Sequence, residues 1–598
     1  MIKPNVGLSN LFESANQFFY KNFLIIIPFL IGIWSVFLGQ DRNFDLASYH
    51  LYNAFSFINN KEKLDFAVAA GQSFINPIID LPYYIFNLYL NPKFIGFIFG
   101  FFHGLVFILV YKIALLILGS RKRKEVFLVS IFSIFTPNYL SGIGATMGDI
   151  TTSIFNLASI LFFCRFFISP INKITKPPFY LFFSALFVGL SVGLKLTNAV
   201  FALGILISMA IFLFFYFKSK KTTLIIFGLV SLLGVIITGG YSFLELYKNF
   251  HNPFFPLLSN IFHNDFSSIA TFDNRWIPKD IIELIIFPIT KSLSIAKPSD
   301  SWAIQFFIPA IYIILCLNLF TRNYLRKDPL KPLEFFLVAF LCISYVIWIS
   351  LFSINRYLVT LEVLSPLVLY ILLDKCLNFK LRLKKIFLFI GVGSSITSLI
   401  IGHGNWGHSG WSNPAFRIDL PKIEPNNSLV LMTDDSPLGW MVTQFPKDIP
   451  FVRLNALDNS EKVILNKIND HNPHLYAFFS GYYNWRVDNV KKWDKVLSWF
   501  NLKNSQKSCE RLNVFISYIG FKGKIIHQKR ENELCYLSLK DDDIAKSADM
   551  NERIIESNNR RLAPLDLNLN FNSCNVYSGN IGTQNWRYIW CEIEHVKN

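Results

Sequence analysis

The residues best suited to chemistry stand where long apolar stretches stop. Gln40-Asp41-Arg42-Asn43-Phe44-Asp45-Leu46-Ala47-Ser48-Tyr49-His50 follows the first such stretch, with Asp65 and an Asn76-Pro77 turn further on. A carboxylate fixed at a membrane surface, Asp45 or Asp41, has the chemistry of a general base toward a hydroxyl acceptor. Asp45 and Tyr49 are four apart and share a face if the segment is helical, with His50 beside them. Asp149 ends the loop Gly142-Ile143-Gly144-Ala145-Thr146-Met147-Gly148. An acid there favours the dipole of the helix that follows; its other use is as the carboxylate of a metal or phosphate site facing Asp45. Lys195, in Gly193-Leu194-Lys195-Leu196-Thr197-Asn198, interrupts a long apolar stretch, and Arg356 sits in Asn355-Arg356-Tyr357. Cations at membrane depth are costly and are kept for snorkelling or for function. The function of such a pair is to meet an anion, a phosphate above all.

A second group lies between the middle stretches: His251-Asn252-Pro253, then His263, Asp265, Asp273 and Arg275. Their spacing matches no zinc site, where ligands come in close pairs. His251, His263 and Arg275, with Tyr49 and His50, are candidate acceptor contacts. Asp434-Asp435 follows a predicted strand and reads as a turn.

The elements that must position these groups are transmembrane helices. The mean hydropathy of +0.38, the 52% hydrophobic content and the 63 phenylalanines exceed what soluble cores could bury. The net charge of +17 falls in short clusters between apolar runs, which excludes a nucleic-acid face. Runs near 20 residues long are expected to span at 23–39, 93–118, 126–141, 150–168, 178–194, 197–217, 223–242, 302–320, 333–353, 359–374 and 386–402, about eleven helices. The stretch 75–90, broken by Pro77, Asp80 and Pro82, reads as interfacial, with a twelfth span as the alternative.

Lys and Arg prefer alternate loops, as the positive-inside rule requires. Arg121-Lys122-Arg123-Lys124, Lys173 with Lys176, Lys218-Ser219-Lys220-Lys221, Arg322 with Arg326 and Lys327, and Lys375 through Lys385 mark one side, while the loop 142–149 has none. The N-terminus is therefore expected inside, with loops 40–92 and 243–301 and residues 403–598 outside. No small-residue cleavage site follows Gly39, so the first span is expected to be retained.

The expected organisation is a polytopic α-helical membrane domain, 1–402, followed by an extracytoplasmic α/β domain, 403–598. In the latter, strands are predicted at Ser428–Met432, Ile449–Leu454 and His474–Phe479, and helices at Ser460–Ile468 and Trp485–Phe500. The charged segment 538–562 reads as a flexible excursion. Cys509, Cys535, Cys574 and Cys591 all fall here, within two similar segments that suggest a duplicated hairpin, each closed by its own disulfide in an oxidising compartment. Four cysteines allow three connectivities.

Together, the acid-bearing first loop (Asp45-x-x-x-Tyr49-His50), Asp149, the Gly-Leu-Lys-Leu-Thr hairpin and the Arg356-Tyr357 pair resemble the C-type glycosyltransferase (GT-C) superfamily over residues 20–402. The likeness is strongest to bacterial polyprenol-phosphate-mannose mannosyltransferases and aminoarabinose transferases. The resemblance implies transfer of a sugar from a polyprenyl-phosphate carrier to a glycan, lipid or protein acceptor at the outer side of the plasma (inner) membrane, without nucleic acid. It implies Asp45 or Asp41 as base, Asp149 as second acid, and Lys195 and Arg356 as donor-phosphate contacts. Some members use a divalent cation and others do not. The chain departs from better-known members in lacking an Asp-Glu pair in its first loop. A polysaccharide polymerase or ligase, with its chemistry on 243–301, and a transporter or flippase are the competing readings.

Overall fold

The structure is a computed structural model. It describes residues 6–168, 177–216, 220–262, 273–293, 303–320, 329–376, 380–400, 403–404, 406–424, 427–457, 460–471, 473–484, 486–518, 523–528, 533–539 and 541–596. Two compact units emerge. The first comprises 1–60, 71–415 and 457–459; the second comprises 61–70, 416–456 and 460–598.

The first unit is helical. Among the described residues, six helices are long and apolar enough to cross a membrane: Pro92–Leu118, Asp149–Ile168, Leu196–Tyr216, Lys221–Phe250, Pro332–Leu351 and Asn355–Lys375. Shorter apolar helices cover Asn22–Leu38, Phe179–Leu194 and Phe307–Leu319. Each of the eleven expected spans overlaps helix among the described residues, but the run 126–141 breaks into Arg123–Ser133 and Pro137–Gly142. Pro137 supplies no N–H to an earlier turn and begins the second piece. The stretch 75–90 makes only a short turn, Pro77–Ile79, and the helix Leu81–Tyr89. Nine residues rise about 14 Å, half a bilayer core, so no twelfth span forms there. The second long loop carries a helix, Ile281–Ser292, that the sequence reading missed.

Helices 177–194 and 220–250 approach closely because glycines face each other. A Cβ on Gly234 would lie 2.6 Å from the Leu186 carbonyl oxygen, and one on Gly193 2.6 Å from that of Val235. With no hydrophobic force between helices in lipid, such small-residue contacts supply the packing. They also fix the end of the helix that presents Lys195.

The second unit is built on a seven-stranded mixed sheet. In spatial order it runs Phe416–Ile418, Asn575–Ile581, Gln584–His595, His474–Ser480, Ser428–Met432 and Phe451–Arg453, with Leu567–Leu569 also pairing Gln584–His595. Ser428–Met432 is parallel to both its neighbours, and the other pairings are antiparallel. Ser428–Met432, paired on both sides, is fully buried, as its apolar run Leu429–Met432 demands. Lys61 and Asp65, from the first-loop piece belonging to this unit, pair at 3.0 Å, and Asp65 accepts from the Phe451 N–H. Asp65 is thus a structural acid of the sheet domain. Asp434 accepts from Ser436 and from the Ser480 N–H, a turn role.

Two expectations are corrected. Residues Asp541–Leu562 form a helix, whose Ile554, Ile555 and Leu562 pack on the sheet; its sparse apolar stripe is hidden in a charged composition. The cysteine segments are not a duplicated hairpin. Cys509 lies on the helix Gln506–Tyr518 and bonds to Cys535 just before the strand Tyr536–Leu539, whereas Cys574 and Cys591 bond beside and within the antiparallel ladder 575–595.

Candidate functional site

The candidate residues converge within the first unit from four separate segments, each held by its own local device. After the first helix, Gln40-Asp41 pairs with His408-Ser409 as a two-residue ladder. The buried Asp41 carboxylate then accepts from the Asn43 N–H and side-chain amide and from the Thr146 N–H and hydroxyl, at 2.8–3.1 Å. Five donor contacts saturate it and tie the first loop to the loop that bears Asp149.

Past Asp45 the chain winds as a π-helix, Leu46–His50, before continuing as an α-helix to Asn59. In an α-helix a residue five along points about 140° away. The wider π-turn brings His50 round toward the face shared by Asp45 and Tyr49. The Tyr49 and His50 rings stand 4.2 Å apart.

Asp45 meets Arg356, with Nη1 at 2.5 Å from Oδ2. Burial pushes the Asp45 carboxyl up, but Arg356, His50 and Lys195 outweigh it and hold the group below the usual carboxylate range. Lys195 reaches Asp149 at 2.5 Å and donates to the Met147 carbonyl at 2.8 Å. Asp149 stands in the first turn of helix 149–168, where the dipole also favours its charge. Gly148 makes the sharp entry possible: its φ is +79°, and a Cβ there would lie 2.6 Å from Ile79. Arg356 and Lys195 both lie over the Tyr357 ring, at 5.4 and 5.1 Å, and Arg356 also faces Trp406 at 5.6 Å. A recess beside these pairs is lined by Asn138, Met147, Gly148, Asp149, Arg356 and Trp406.

The turn Asn355–Leu358, which carries Arg356, is itself anchored. Asn138 donates from its side chain to the Asn355 carbonyl at 2.9 Å and to Glu362 at 2.6 Å. Glu362, fully buried in a membrane-crossing helix, also accepts from the Asn138 N–H and from Gln305. An acid at that depth is retained only with such partners.

The sequence reading missed four contributors: Asp80, which bonds His50 at 2.7 Å, and Asn138, Glu362 and Trp406. Asp80 and Glu362 carry a sequence signal, since each is an acid inside an apolar stretch. Asn138 and Trp406 carry none. Arg275 pairs with Asp273 on an exposed loop, and His251 is exposed beside the Tyr247 ring. Neither makes a recorded bond to Asp45, Asp149, Lys195 or Arg356 among the described residues; His263 and Asp265 lie outside them. Among the described residues, no group of three or more His, Cys, Asp or Glu stands close enough to hold a metal ion.

No protein-family model and no curated protein matches the chain. Among solved structures it is similar to the apo oligosaccharyltransferase of Archaeoglobus fulgidus, with a TM-score of 0.44 and 10% identity over 77% of this chain and 70% of that one. It is also similar to ArnT from Cupriavidus metallidurans bound to undecaprenyl phosphate, with a TM-score of 0.42 and 10% identity over 77% of this chain and 93% of that one. A third likeness is to the Archaeoglobus fulgidus oligosaccharyltransferase AglB in complex with an inhibitory peptide and a dolichol-phosphate, at a TM-score of 0.43 and 11% identity over 88% and 75% of the two chains.

Proposed function

We propose that this chain is an integral membrane glycosyltransferase that moves a sugar from a polyprenyl-phosphate carrier to an envelope glycan, lipid or protein acceptor on the extracytoplasmic side. The observation that carries the reading is the convergence of two carboxylate–cation pairs, Asp45–Arg356 and Asp149–Lys195, beside one recess at the ends of apolar helices. An anionic lipid phosphate suits both cations, and a sugar's anomeric carbon then lies within the reach of a carboxylate.

On this reading the donor phosphate draws Arg356 and Lys195 from their partners. Asp45, relieved of Arg356, becomes basic enough to take the proton of an acceptor hydroxyl. The acceptor oxygen bonds to the anomeric carbon as the bond to the phosphate oxygen breaks, and the electron pair leaves with the polyprenyl phosphate, whose added charge the two cations meet. Asp41, saturated by Asn43 and Thr146, holds the loop rather than acting as base. The positive-inside pattern supports a cytoplasmic N-terminus and an outer C-terminal domain, and the two disulfides suit an oxidising side.

The test is transfer from a panel of radiolabelled polyprenyl-phosphate sugars in membranes bearing the wild type or Asp45→Asn, with insertion verified for both. Label reaching an acceptor with the wild type alone supports the assignment; equal transfer by Asp45→Asn removes Asp45 from it.

A further inference from the structure

Behind Asp45 lies a second acid–base pair that the transfer step does not use. His50 Nδ1 stands 2.7 Å from Asp80 Oδ1, and both residues are nearly sealed from solvent, at 5% and 4% exposure. With an ionised Asp80 as the acceptor, the hydrogen is assigned to Nδ1 and the lone pair to Nε2. Among the described residues that Nε2 is buried with no hydrogen-bond partner, as is Asp80 Oδ2. A buried imidazole with an orphaned basic nitrogen is costly to keep. Its orientation is nevertheless built in at both ends. His50 ends the π-turn that follows Asp45 and lies near enough to help lower the Asp45 carboxyl, and Asn76 fixes the turn before Asp80 by donating to the Gly193 and Thr238 carbonyls, each at 2.7 Å.

We propose that His50 and Asp80 are positioning residues that receive, through Asp45, the proton of the acceptor hydroxyl. The inference rests on the transferase reading above. The proton passes from the acceptor oxygen to the Asp45 carboxylate and on to His50 Nε2. The resulting imidazolium is paired with the Asp80 carboxylate; as the polyprenyl phosphate departs, the proton returns through Asp45 to a phosphate oxygen, so that His50 and Asp45 are both restored for the next turnover. The leaving polyprenyl phosphate takes the electron pair of the broken bond, so no further reactant is needed. The charged and titratable groups about His50 are Asp45 and Tyr49 on its own turn and Asp80 opposite, with Lys195 acting on both acids and Arg356 on Asp45. Burial pushes the Asp80 carboxyl up, and pairing with His50 offsets part of that push.

The test measures kcat and KM for transfer by the full-length protein in nanodiscs, with the wild type, His50→Gln and Asp80→Asn, once a donor for the wild type is known. His50→Gln keeps an N–H toward Asp80 but cannot take a proton; kcat drops ten- to a hundredfold with KM unchanged, and added imidazole restores part of the rate. Asp80→Asn, which leaves His50 in place, lowers kcat by a smaller factor, again with KM unchanged. Wild-type kcat in either variant, or a loss confined to KM, overturns the proposal while leaving the transferase standing. Wild-type membranes that transfer from no donor overturn both.

Discussion

Replacing Arg356 by Met removes the cation facing Asp45 at 2.5 Å while keeping most of the side chain's apolar stem. The two side chains are only 19% and 9% exposed, so water does little to replace the lost partner. Two routes set the cost. Leaving a carboxylate buried beside no cation costs about 3–5 kcal/mol. Alternatively the carboxyl takes up a proton, and carrying an ordinary carboxyl of about 3.9 to its protonated form at pH 7 costs about 4 kcal/mol. The routes agree, so the expected loss at pH 7 is about 4 kcal/mol. The protonation route then fixes how the loss changes with pH. In the wild type Asp45 titrates below its unfolded value, so its contribution is present at neutral pH and disappears as pH falls through the folded value. In Arg356→Met, burial, the largest influence on the group, is opposed only by His50 and Lys195 and lifts the folded value above the unfolded one; the penalty is greatest at neutral pH and shrinks by about 1.4 kcal/mol per unit as pH falls toward 4. Adding Asp45→Asn to Arg356→Met removes the stranded charge and leaves a cost of about 1–2 kcal/mol. The assay is thermal unfolding in detergent, followed by tryptophan fluorescence at pH 7 and pH 5, for the wild type, both single variants and the double. A double variant as unstable as the two singles summed, or an Arg356→Met deficit unchanged between the two pH values, refutes the reasoning.

Gly148→Ala should cost about 1–3 kcal/mol, since it forces a side chain into a left-handed backbone against Ile79, and should raise the donor KM by displacing Lys195; unfolding and transfer kinetics measure the two effects. Glu362→Gln keeps the shape but sets an amide N–H among three donors, so unfolding should show a loss of about 1–3 kcal/mol together with weaker donor binding through the Arg356 turn. Opening the Cys509–Cys535 bridge with a double serine variant, which frees a 26-residue separation, should destabilise the second unit by about 3 kcal/mol; limited proteolysis of residues 486–539 should speed up while Asp45-dependent transfer persists.

The helices were legible because lipid imposes one demand, an apolar run of spanning length, and the sequence meets it without competing signals. Strands such as Ser428–Met432 were legible for a similar reason, as an apolar run of that length between turn residues has few other uses. The Asp541–Leu562 helix was not, because its apolar stripe is narrow and the eye reads its charges first. The convergence of Asp45 on Arg356 across 311 residues was legible only as position, both standing where apolar stretches stop. Nothing in the sequence pairs Asp45 with Arg356 and Asp149 with Lys195 rather than the reverse. Asn138 escaped notice because an amide in a short broken helix has many fates, and only the fold gives it both Asn355 and Glu362.

The charge count explains why the pairs are arranged as they are. Asp45 and Asp149 face Arg356 and Lys195. These two pairs are neutral with no donor bound, and neutrality lowers the cost of burying four ionisable groups near a bilayer. A donor phosphate breaks that balance by adding a negative charge. Each acid nearby then holds a proton more strongly, and the effect is greatest for Asp45, whose cation the phosphate competes for. Under the proposed reading, donor binding therefore converts Asp45 from a weak base locked to Arg356 into an effective one. An acceptor hydroxyl arriving before the donor meets a carboxylate with little tendency to deprotonate it. The order of binding is thus written into the electrostatics, with the anionic donor first and the neutral acceptor second.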